Sequence, residues 1–408
     1  MSSGVEDSLF RTAHLLLTQS MTRLWEVTNF LANNGFTSTV QAVCLVMLVL
    51  KVCHLYPCMW PLPGRRTRTE PLPAGSIIGH RGSCQEGVPE NTLASFLDAV
   101  IAGVDIVELD VWLTKDTQIC VFHDDNFARM TCNADKGMVT DTNYADFPEI
   151  VPGILQRNRI ADVVDSDRLK SLLPQGGSPL AKKYAAKYKP AAGTGTSSET
   201  DYLWKHIPLF EEVLAHLPDH IGIIIEVKDH NPEMLTLLHA LIKRQSKARQ
   251  ANLFWFSLRA GLNNSLRCAD SSIPSITSLP NILRVFFFYA LGMAPFIDVK
   301  CDVFGIDVRT IDQERVDNEK SLAALPQWGK NILAFLFQGS PPALCMLPNL
   351  YSMLRKKGVP VFFLGVDSIP ALHNAIVNGA SGVLSDKPNM LCAHIKTHRL
   401  QFNRVHCE

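Results

Sequence analysis

Three acidic residues in this chain have the types and spacing that metal-assisted chemistry requires. Glu108 and Asp110 are two positions apart in an apolar run, so on a β-strand both side chains point to the same face. Glu226 lies in a second apolar run and is followed two positions later by Lys228, which predicts another charged pair on one face. Carboxylates packed against apolar residues need a cation, because an unpaired buried charge is costly.

Two histidines flank these acidic residues. His80 follows the strand-like run Ser76–Gly79, and His123 ends the strand-like run Ile119–Phe122. Side chains that titrate near neutrality can serve as general base and general acid. Three carboxylates without a zinc-type cysteine or histidine spacing favour a hard cation, Mg²⁺ or Ca²⁺. The guanidinium of Arg81 can bind a phosphate in a fork, and Lys228 can add a point charge. These carboxylates, histidines and basic residues together predict metal-assisted hydrolysis of a phosphate ester.

Strand-like and helix-like runs alternate from Gly75 onward and would position these residues. The link after Leu113 is too short for a parallel crossover, so the next strand should form a hairpin with it. The eight remaining strands predict a (β/α)8 TIM barrel, in which catalytic groups lie at the carboxyl ends of strands. The predicted strands are Ser76–Gly79, Ile106–Leu113, Ile119–Phe122, Gly222–Lys228, Leu253–Ser257, Ser275–Thr277, Val303–Asp307, Val359–Leu364 and Gly382–Ser385. The predicted helices are Thr92–Ala102, Phe210–Leu217, Pro232–Gln250, Pro342–Lys357 and Ile369–Asn378.

The composition bounds the class of protein. The chain has 408 residues, 47% of them hydrophobic and 19% charged, which is typical of an ordered protein with a large core. Its formal net charge is zero, and it has no basic stripe interleaved with aromatic residues, so no nucleic-acid partner is expected. Eleven cysteines without a CxxC pair favour a reducing compartment.

The N-terminal region predicts an association with membranes. Residues 36–56 are predicted to form a transmembrane or membrane-anchoring helix, because a bilayer needs about 20 apolar residues. Residues 1–35 form a segment with scattered apolar positions that would lie along the membrane, and residues 57–74 are a proline- and arginine-rich linker. The weak excess of basic residues after the apolar segment predicts a membrane protein whose catalytic domain faces the cytosol. The organelle stays open, and an endoplasmic reticulum-like endomembrane is one candidate. Phospholipid and membrane are the expected partners.

The catalytic domain is predicted to cover residues 75–395 and to be followed by a tail, residues 396–408. Residues 165–200, with a polar run and five lysines, are predicted to be a surface insertion that serves as a lid or a contact to the lipid surface, or that is a passive loop. The apolar stretch Ile282–Ile297 either packs in the core or forms an apolar surface that touches lipid. The remaining histidines are predicted to be surface groups, among them His206, His216, His220 and His230.

A series of motifs resembles the glycerophosphodiester phosphodiesterase family over roughly residues 76–391. The motifs are Gly79-His80-Arg81-Gly82, Pro89-Glu90-Asn91-Thr92, Glu108-Leu109-Asp110-Val111, Thr114-Lys115-Asp116, His123-Asp124, Glu226-Val227-Lys228 and the closing Asp386 with Pro388. The resemblance implies a (β/α)8 barrel that cleaves phosphodiesters with a divalent cation. It implies that the cation is bound by Glu108, Asp110 and Glu226. It also implies that His80 and His123 are the acid–base pair and that Arg81 contacts the phosphate.

A narrower likeness concerns the substrate. The N-terminal apolar segment and the stretch Arg284–Val299 look like the membrane-bound branch of the family whose members act as lysophospholipases D. That branch releases the head-group alcohol from lysophospholipids and N-acylated relatives and leaves lysophosphatidic acid. Three alternatives remain open: a phosphodiesterase for water-soluble glycerophosphodiesters, a phosphoinositide-type phospholipase C, and a non-catalytic membrane scaffold with a degenerate barrel.

Several positions depart from the family pattern. Thr117 stands where the family usually has glycine in the hairpin turn, so the turn should be of another type or strained. Phe363 and Val366 stand where the family usually has tryptophan and asparagine, and Lys387 replaces its usual tyrosine. These positions shape the pocket for the non-reacting part of the substrate, so the head group stays open.

Overall fold

Eight strands form one sheet in the computed structural model, which describes residues 76–84, 88–131, 137–151, 202–309, 347–398 and 400. The strands are β1 Ser76–Gly79, β2 Ile106–Leu113, β3 Ile119–Val121, β4 Gly222–Val227, β5 Leu253–Phe256, β6 Phe304–Asp307, β7 Val361–Leu364 and β8 Gly382–Ser385. They run in the order β5-β4-β2-β1-β8-β7-β6, with every neighbouring pair parallel. β3 pairs antiparallel with β2, which confirms the predicted hairpin.

A short segment joins the two edges of this sheet. Trp255 of β5 forms a parallel bridge with Ser275, and Ile276 forms a parallel bridge with Val303 beside β6. The predicted strand Ser275–Thr277 therefore occurs as isolated bridges rather than as a regular strand. With it, the seven parallel strands close into a ring, the predicted (β/α)8 order.

Helices connect the strands as expected for parallel pairs. The described helices are α1 Leu93–Ala102, α2 Ala128–Thr131, α3 Tyr202–Lys205, α4 Phe210–His216, α5 Pro232–Lys243, α6 Lys247–Ala251, α7 Ala260–Ala269, α8 Leu279–Ala290, α9 Pro348–Lys356, α10 Ile369–Val377 and α11 Pro388–His398. The prediction of a single helix, Pro232–Gln250, was wrong, because this part of the chain forms two helices, α5 and α6. Ser246 separates them, since its side chain accepts a hydrogen bond from Arg249 N–H (3.0 Å) and caps α6.

The barrel interior shows why the acidic residues face one another. Ile78, Ile106 and Ile224 are buried in one hydrophobic cluster with inward-facing residues of the other strands. Because side chains alternate along a strand, the next residues on the same face lie one layer nearer the carboxyl ends. Those residues are His80, Glu108 and Glu226, and Asp110, which pairs with Glu226, follows two positions after Glu108 on the same face. Apolar side chains fill the middle of the barrel, and charged side chains lie at its rim, the carboxyl ends of the strands.

Two histidines that were predicted to be surface groups are buried. His206 and His216 are 1% and 4% exposed. His206 Nε2 hydrogen-bonds Glu212 Oε1 (3.2 Å), and the same carboxylate accepts Leu209 N–H (2.7 Å) at the start of α4 and the Tyr144 hydroxyl (3.3 Å). The prediction failed because the partners of a buried histidine come from elements that the local sequence does not reveal.

The hairpin turn carries the strain that its sequence predicts. Thr117 has φ +58°, in the left-handed region, and its N–H donates to Thr114 C=O (3.0 Å). A β-branched residue is an outlier there, whereas glycine is not.

The apolar stretch after residue 282 has both a buried and an exposed side. Residues 283–299 belong to a second unit of the chain, separate from the one that holds the barrel. On α8, Val285 and Phe286 are buried, while Phe287 is 60% exposed. This stretch therefore contains both buried and exposed apolar side chains.

The membrane prediction needs correction. Among the described residues no helix is long and apolar enough to cross a membrane. The longest of them, α5 and α8, have 12 residues each, which span about 18 Å against a hydrocarbon core of about 30 Å. This finding overturns the predicted membrane location. Residues 1–35, 36–56, 57–74 and 165–200 lie outside the described residues, so those domain boundaries stay predictions.

Candidate active site

The three predicted acidic residues meet at the carboxyl end of two neighbouring strands. Glu108 and Asp110 lie on β2, and Asp110 pairs in register with Glu226 on β4. All three side chains are buried, and each can offer an oxygen within 4.8 Å of the others. We refer to these three residues as the acidic cluster.

Two cationic side chains partly balance this cluster. Lys228 Nζ lies 2.8 Å from Glu226 Oε1 and 3.0 Å from Asp110 Oδ1. Arg81 Nε lies 3.4 Å from Asp110 Oδ2, and the backbone N–H of Arg81 donates to Glu108 Oε2 (3.1 Å). Three carboxylates thus share two cations, and one of these cations, Arg81, also pairs with Glu90.

The titration of the cluster reflects this shortage of positive charge. Burial, followed by the charges of Asp110 and Glu226, raises the pKa of Glu108 well above its ordinary value. Burial also raises the pKa of Glu226, against the opposing charge of Lys228. For Asp110, burial is outweighed by Lys228 and Arg81, so its pKa is well below the usual range. The cluster as built favours one more positive charge, either a proton or a metal ion.

A divalent metal fits these residues. All three offer carboxylate oxygens, the donors preferred by hard cations such as Mg²⁺ and Ca²⁺. Asp110 Oδ1 is buried and accepts no well-aligned hydrogen bond from the described residues, although Lys228 Nζ is close. An oxygen in that condition gains a partner when a cation binds.

The loop after β1 is held in an unusual backbone conformation. Arg81 and Asn91 both have positive φ, +52° and +57°. Their backbones are linked, because Asn91 N–H donates to Arg81 C=O (3.0 Å), and Asn91 Nδ2 donates to Asp110 Oδ2 (2.8 Å). Non-glycine residues in this region cost of order 1–3 kcal/mol each, and such strain concentrates at functional sites.

His80 is oriented by a residue that follows the neighbouring strand β8. Its Nδ1 hydrogen-bonds Asp386, the residue after β8, and its Nε2 lies 3.9 Å from Glu108 Oε2. Asp386 is fixed in turn, because its N–H donates to Asp367 Oδ1 (2.7 Å), which also accepts the Ser385 hydroxyl (3.0 Å). The ring of His80 therefore has one nitrogen held and the other directed at the acidic cluster.

His123 is oriented by a similar carboxylate. Its Nδ1 lies 2.7 Å from Asp124 Oδ1, and Asp124 Oδ2 accepts Arg129 Nε–H (2.6 Å). Arg129 also donates to Glu90, which pairs with Arg81. Burial of Asp124 is outweighed by the hydrogen bonds from His123 and Arg129, which lower its pKa to about 2. The carboxylate thus stays ionised and holds the imidazole.

The structure brings most of the predicted site residues into direct contact. His80, Arg81 and Lys228 each lie within 4 Å of a member of the acidic cluster. His123 acts at longer range, and its charge contributes to the pKa of Asp110 and Glu226 after burial and Lys228. The motifs of the sequence contain further residues to which no role was given. These are Glu90, Asn91, Asp124 and Asp386, together with Arg129 outside any motif.

Comparison with known proteins agrees with this geometry. Residues 80–275 match the glycerophosphoryl diester phosphodiesterase family. The chain is 26% identical over 318 residues to lysophospholipase D GDPD1 of Rattus norvegicus, which covers 77% of this chain and 84% of the relative. It is 22% identical over 315 residues to lysophospholipase D GDPD3 of Mus musculus, covering 77% of this chain and 80% of the relative.

A solved structure shares the fold. A protein of Silicibacter pomeroyi DSS-3, assigned as a glycerophosphoryl diester phosphodiesterase, superposes with a TM-score of 0.50 at 16% identity, over 81% of this chain and 96% of the other. An identity this low shows the barrel fold alone. Residues 80–275, the part of the chain that matches the glycerophosphoryl diester phosphodiesterase family, contain the acidic cluster, both oriented histidines and Arg81, so this part of the chain is similar to that family.

Proposed function

We propose that this protein hydrolyses lysophospholipids or N-acyl lysophospholipids with the help of a divalent cation, releasing the head-group alcohol and leaving lysophosphatidic acid. The acidic cluster, whose ligand atoms lie within 4.8 Å of one another beside two oriented histidines, carries the catalytic part of this proposal. The substrate class is supported by relatives named lysophospholipase D that align over 77% of the chain.

In this proposal Glu108, Asp110 and Glu226 hold Mg²⁺ or Ca²⁺. A cation held there would neutralise charge on the phosphoryl group and orient it. Arg81 and Lys228 already face the carboxylates of the cluster, so they can also meet the phosphate oxygens of a bound substrate.

His80 and His123 move the protons. Each has its Nδ1 held by a carboxylate, so Nε2 is the nitrogen that exchanges a proton with the substrate. One imidazole accepts a proton from the attacking water or a neighbouring substrate hydroxyl as the new P–O bond forms. The other donates a proton to the head-group oxygen as the old P–O bond breaks.

Product analysis of the purified full-length chain tests the substrate. Lysophosphatidylcholine, an N-acyl lysophospholipid and glycerophosphocholine are offered separately, each with Mg²⁺, with Ca²⁺ and with chelator. We expect lysophosphatidic acid and the free head group only with a cation. A clear preference for glycerophosphocholine would overturn the lipid assignment in favour of water-soluble substrates. No turnover and no calorimetric signal for either cation would favour a non-catalytic scaffold.

Substitution of the histidines tests the proton-transfer roles. His80→Ala and His123→Ala should fold, bind the cation and lose about 10²–10⁴-fold in kcat, the contribution typical of general acid–base catalysis. His220→Ala is the matched control, because His220 is exposed and precedes β4 at the opposite end of the barrel. Near-wild-type turnover in either site variant would refute that histidine's role.

A further inference from the structure

A second group of potential metal ligands lies beside the acidic cluster. It consists of His80 after β1, Cys84 in the same loop and Asp386 after β8. Each can offer one ligand atom within 4.8 Å of the other two. Cys84 takes no part in the proposed hydrolysis, so its position next to His80 and Asp386 is not explained by that reaction.

The donor atoms of this group differ from those of the acidic cluster. A thiolate, an imidazole and one carboxylate suit a softer cation, whereas three carboxylates suit Mg²⁺ or Ca²⁺. Cys84 Sγ lies 3.7 Å from Asp386 Oδ1. Tetrahedral zinc with its usual bond lengths would separate a sulfur and an oxygen ligand by about 3.5 Å. The sulfur–oxygen pair is therefore already at the spacing that zinc requires.

We propose that His80, Cys84 and Asp386 form a site for Zn²⁺, and that zinc at this site inhibits the enzyme. Zinc would bind Nδ1 of His80, whose N–H now donates to Asp386, and the displaced proton would move to Nε2. With Nδ1 on the metal and Nε2 protonated, His80 could no longer accept a proton at Nε2. A catalytic cation and an inhibitory one would thus be sorted by donor type at two neighbouring sites.

Zinc must displace a proton from the thiol. Burial, and then the charges of Asp386 and Glu90, raise the pKa of Cys84. Without metal the side chain is therefore a neutral thiol, which donates to the Asp386 carboxylate. On binding, the S–H bond breaks, the proton leaves to solvent and the thiolate joins the metal. Cys84 is partly exposed, which gives the ion a route to the sulfur.

The binding test does not depend on the proposed function. Co²⁺ is added to the full-length reduced protein, and the thiolate-to-cobalt charge-transfer absorption is recorded for wild type, Cys84→Ser and Cys268→Ser. Cys268 is an exposed thiol on α7 and serves as the matched control. We expect an absorption component in wild type and Cys268→Ser that Cys84→Ser lacks and that Zn²⁺ removes by displacement. Identical spectra in wild type and Cys84→Ser would overturn the proposal.

The inhibition test rests on the proposed function. Turnover of lysophosphatidylcholine is measured at saturating Mg²⁺ while Zn²⁺ is titrated. Cys84→Ser should keep its basal turnover and need at least tenfold more Zn²⁺ for half-inhibition, while Cys268→Ser should match wild type. Equal sensitivity in all three proteins would overturn the inhibitory site.

Two further controls keep the outcomes separate. Cys84→Ala, with thermal unfolding of each variant, distinguishes loss of a ligand from loss of folding, and Cys84→Ala should repeat the result of Cys84→Ser. If wild type turns over no phosphodiester but shows the Cys84-dependent cobalt absorption, the proposed function fails and the metal site stands. If wild type is active but shows neither absorption nor zinc sensitivity, the metal site fails alone.

Discussion

Two buried carboxylate sites in this barrel look alike by exposure and differ in every other respect. Glu212, at the start of α4, is 0% exposed and accepts hydrogen bonds from Leu209 N–H and the Tyr144 hydroxyl, with His206 at 3.2 Å. Glu108, in the acidic cluster, is 2% exposed and shares its surroundings with two more carboxylates. Three hydrogen-bond partners face the carboxylate of Glu212, whereas Glu108 has too few cations around it.

The comparison teaches that burial alone does not mark a catalytic carboxylate. What separates the sites is the balance between negative charges and the donors that face them. A single carboxylate surrounded by neutral donors stabilises the fold around it. Several carboxylates crowded together destabilise one another and gain when a cation arrives. Substitutions at the two sites should therefore have opposite consequences for stability and activity.

The largest effect is expected from Glu226→Gln. It keeps the shape but removes one charge from the acidic cluster, so activity should fall about 10³-fold, or about 4 kcal/mol of transition-state stabilisation. In chelator the variant should be as stable as wild type or more so, because burial of Glu226 disfavours its ionised form. Steady-state kinetics and thermal unfolding with and without Mg²⁺ measure both. Wild type should gain stability from Mg²⁺ and the variant should not; a fully active variant would contradict the comparison.

The next largest effect is expected from Glu212→Ala. Removing the carboxylate leaves the Leu209 N–H and His206 without their acceptor, which should lower the free energy of unfolding by about 3 kcal/mol. Activity per folded molecule and cation affinity should stay at the wild-type level. Urea denaturation and calorimetry measure these, with the exposed neighbour substitution Glu211→Ala as control. Loss of cation binding in a folded Glu212→Ala protein would show that the two sites are not distinct.

A smaller effect is expected from Arg129→Gln. Arg129 donates to Asp124 and Glu90, so it holds the carboxylate that orients His123. Loss of such an outer partner should lower kcat about tenfold and leave Mg²⁺ affinity unchanged. The pKa of Asp124 should also rise, which moves the acid limb of the pH–rate profile upward. The exposed Arg244→Gln is the control, and an unchanged kcat and pH profile would remove Arg129 from the positioning of His123.

The smallest effect is a pH dependence that only the crowded site should show. Burial, with the charges of Asp110 and Glu226, raises the pKa of Glu108 above its ordinary value of 4.5, so the folded protein keeps a proton that the unfolded chain has lost. That stabilisation is fully present below about pH 4.5 and is lost as the pH rises through the folded-state pKa. Denaturation in chelator from pH 4 to 8 should show wild type losing stability relative to Glu108→Gln. If the stability of wild type and Glu108→Gln changed with pH in the same way, the neighbouring carboxylates would not be raising the pKa of Glu108.

The acidic cluster could be predicted because the spacing of its residues along each strand is visible in the local sequence. Glu108 and Asp110 reveal a shared face through the two-residue period of a strand, and Glu226 repeats the signal on the neighbouring strand. The hairpin and the strain at Thr117 also follow from nearby residues. The same is true of the parallel barrel order, which needs only the alternation of strands and helices.

The partners of the two histidines could not be predicted in the same way. Asp386 is 306 positions from His80, and the ring of strands alone brings them together. Asp124 adjoins His123, but its second partner Arg129 lies on a helix whose orientation no local pattern reveals. The predicted surface location of His206 was wrong for the same reason. Long-range hydrogen bonds are a property of the assembled barrel rather than of any short segment.

The way the barrel closes determines where its backbone opens locally. β2 and β4 are joined along six residue pairs, whereas β5 and β6 are connected through isolated bridges at Ser275 and Ile276. Local opening follows the least-paired backbone, so amide hydrogens along this seam should exchange with solvent sooner than those of β2 and β4. The barrel can then open locally at Ser275 and Ile276 while β2 and β4, which carry the acidic cluster, keep their register.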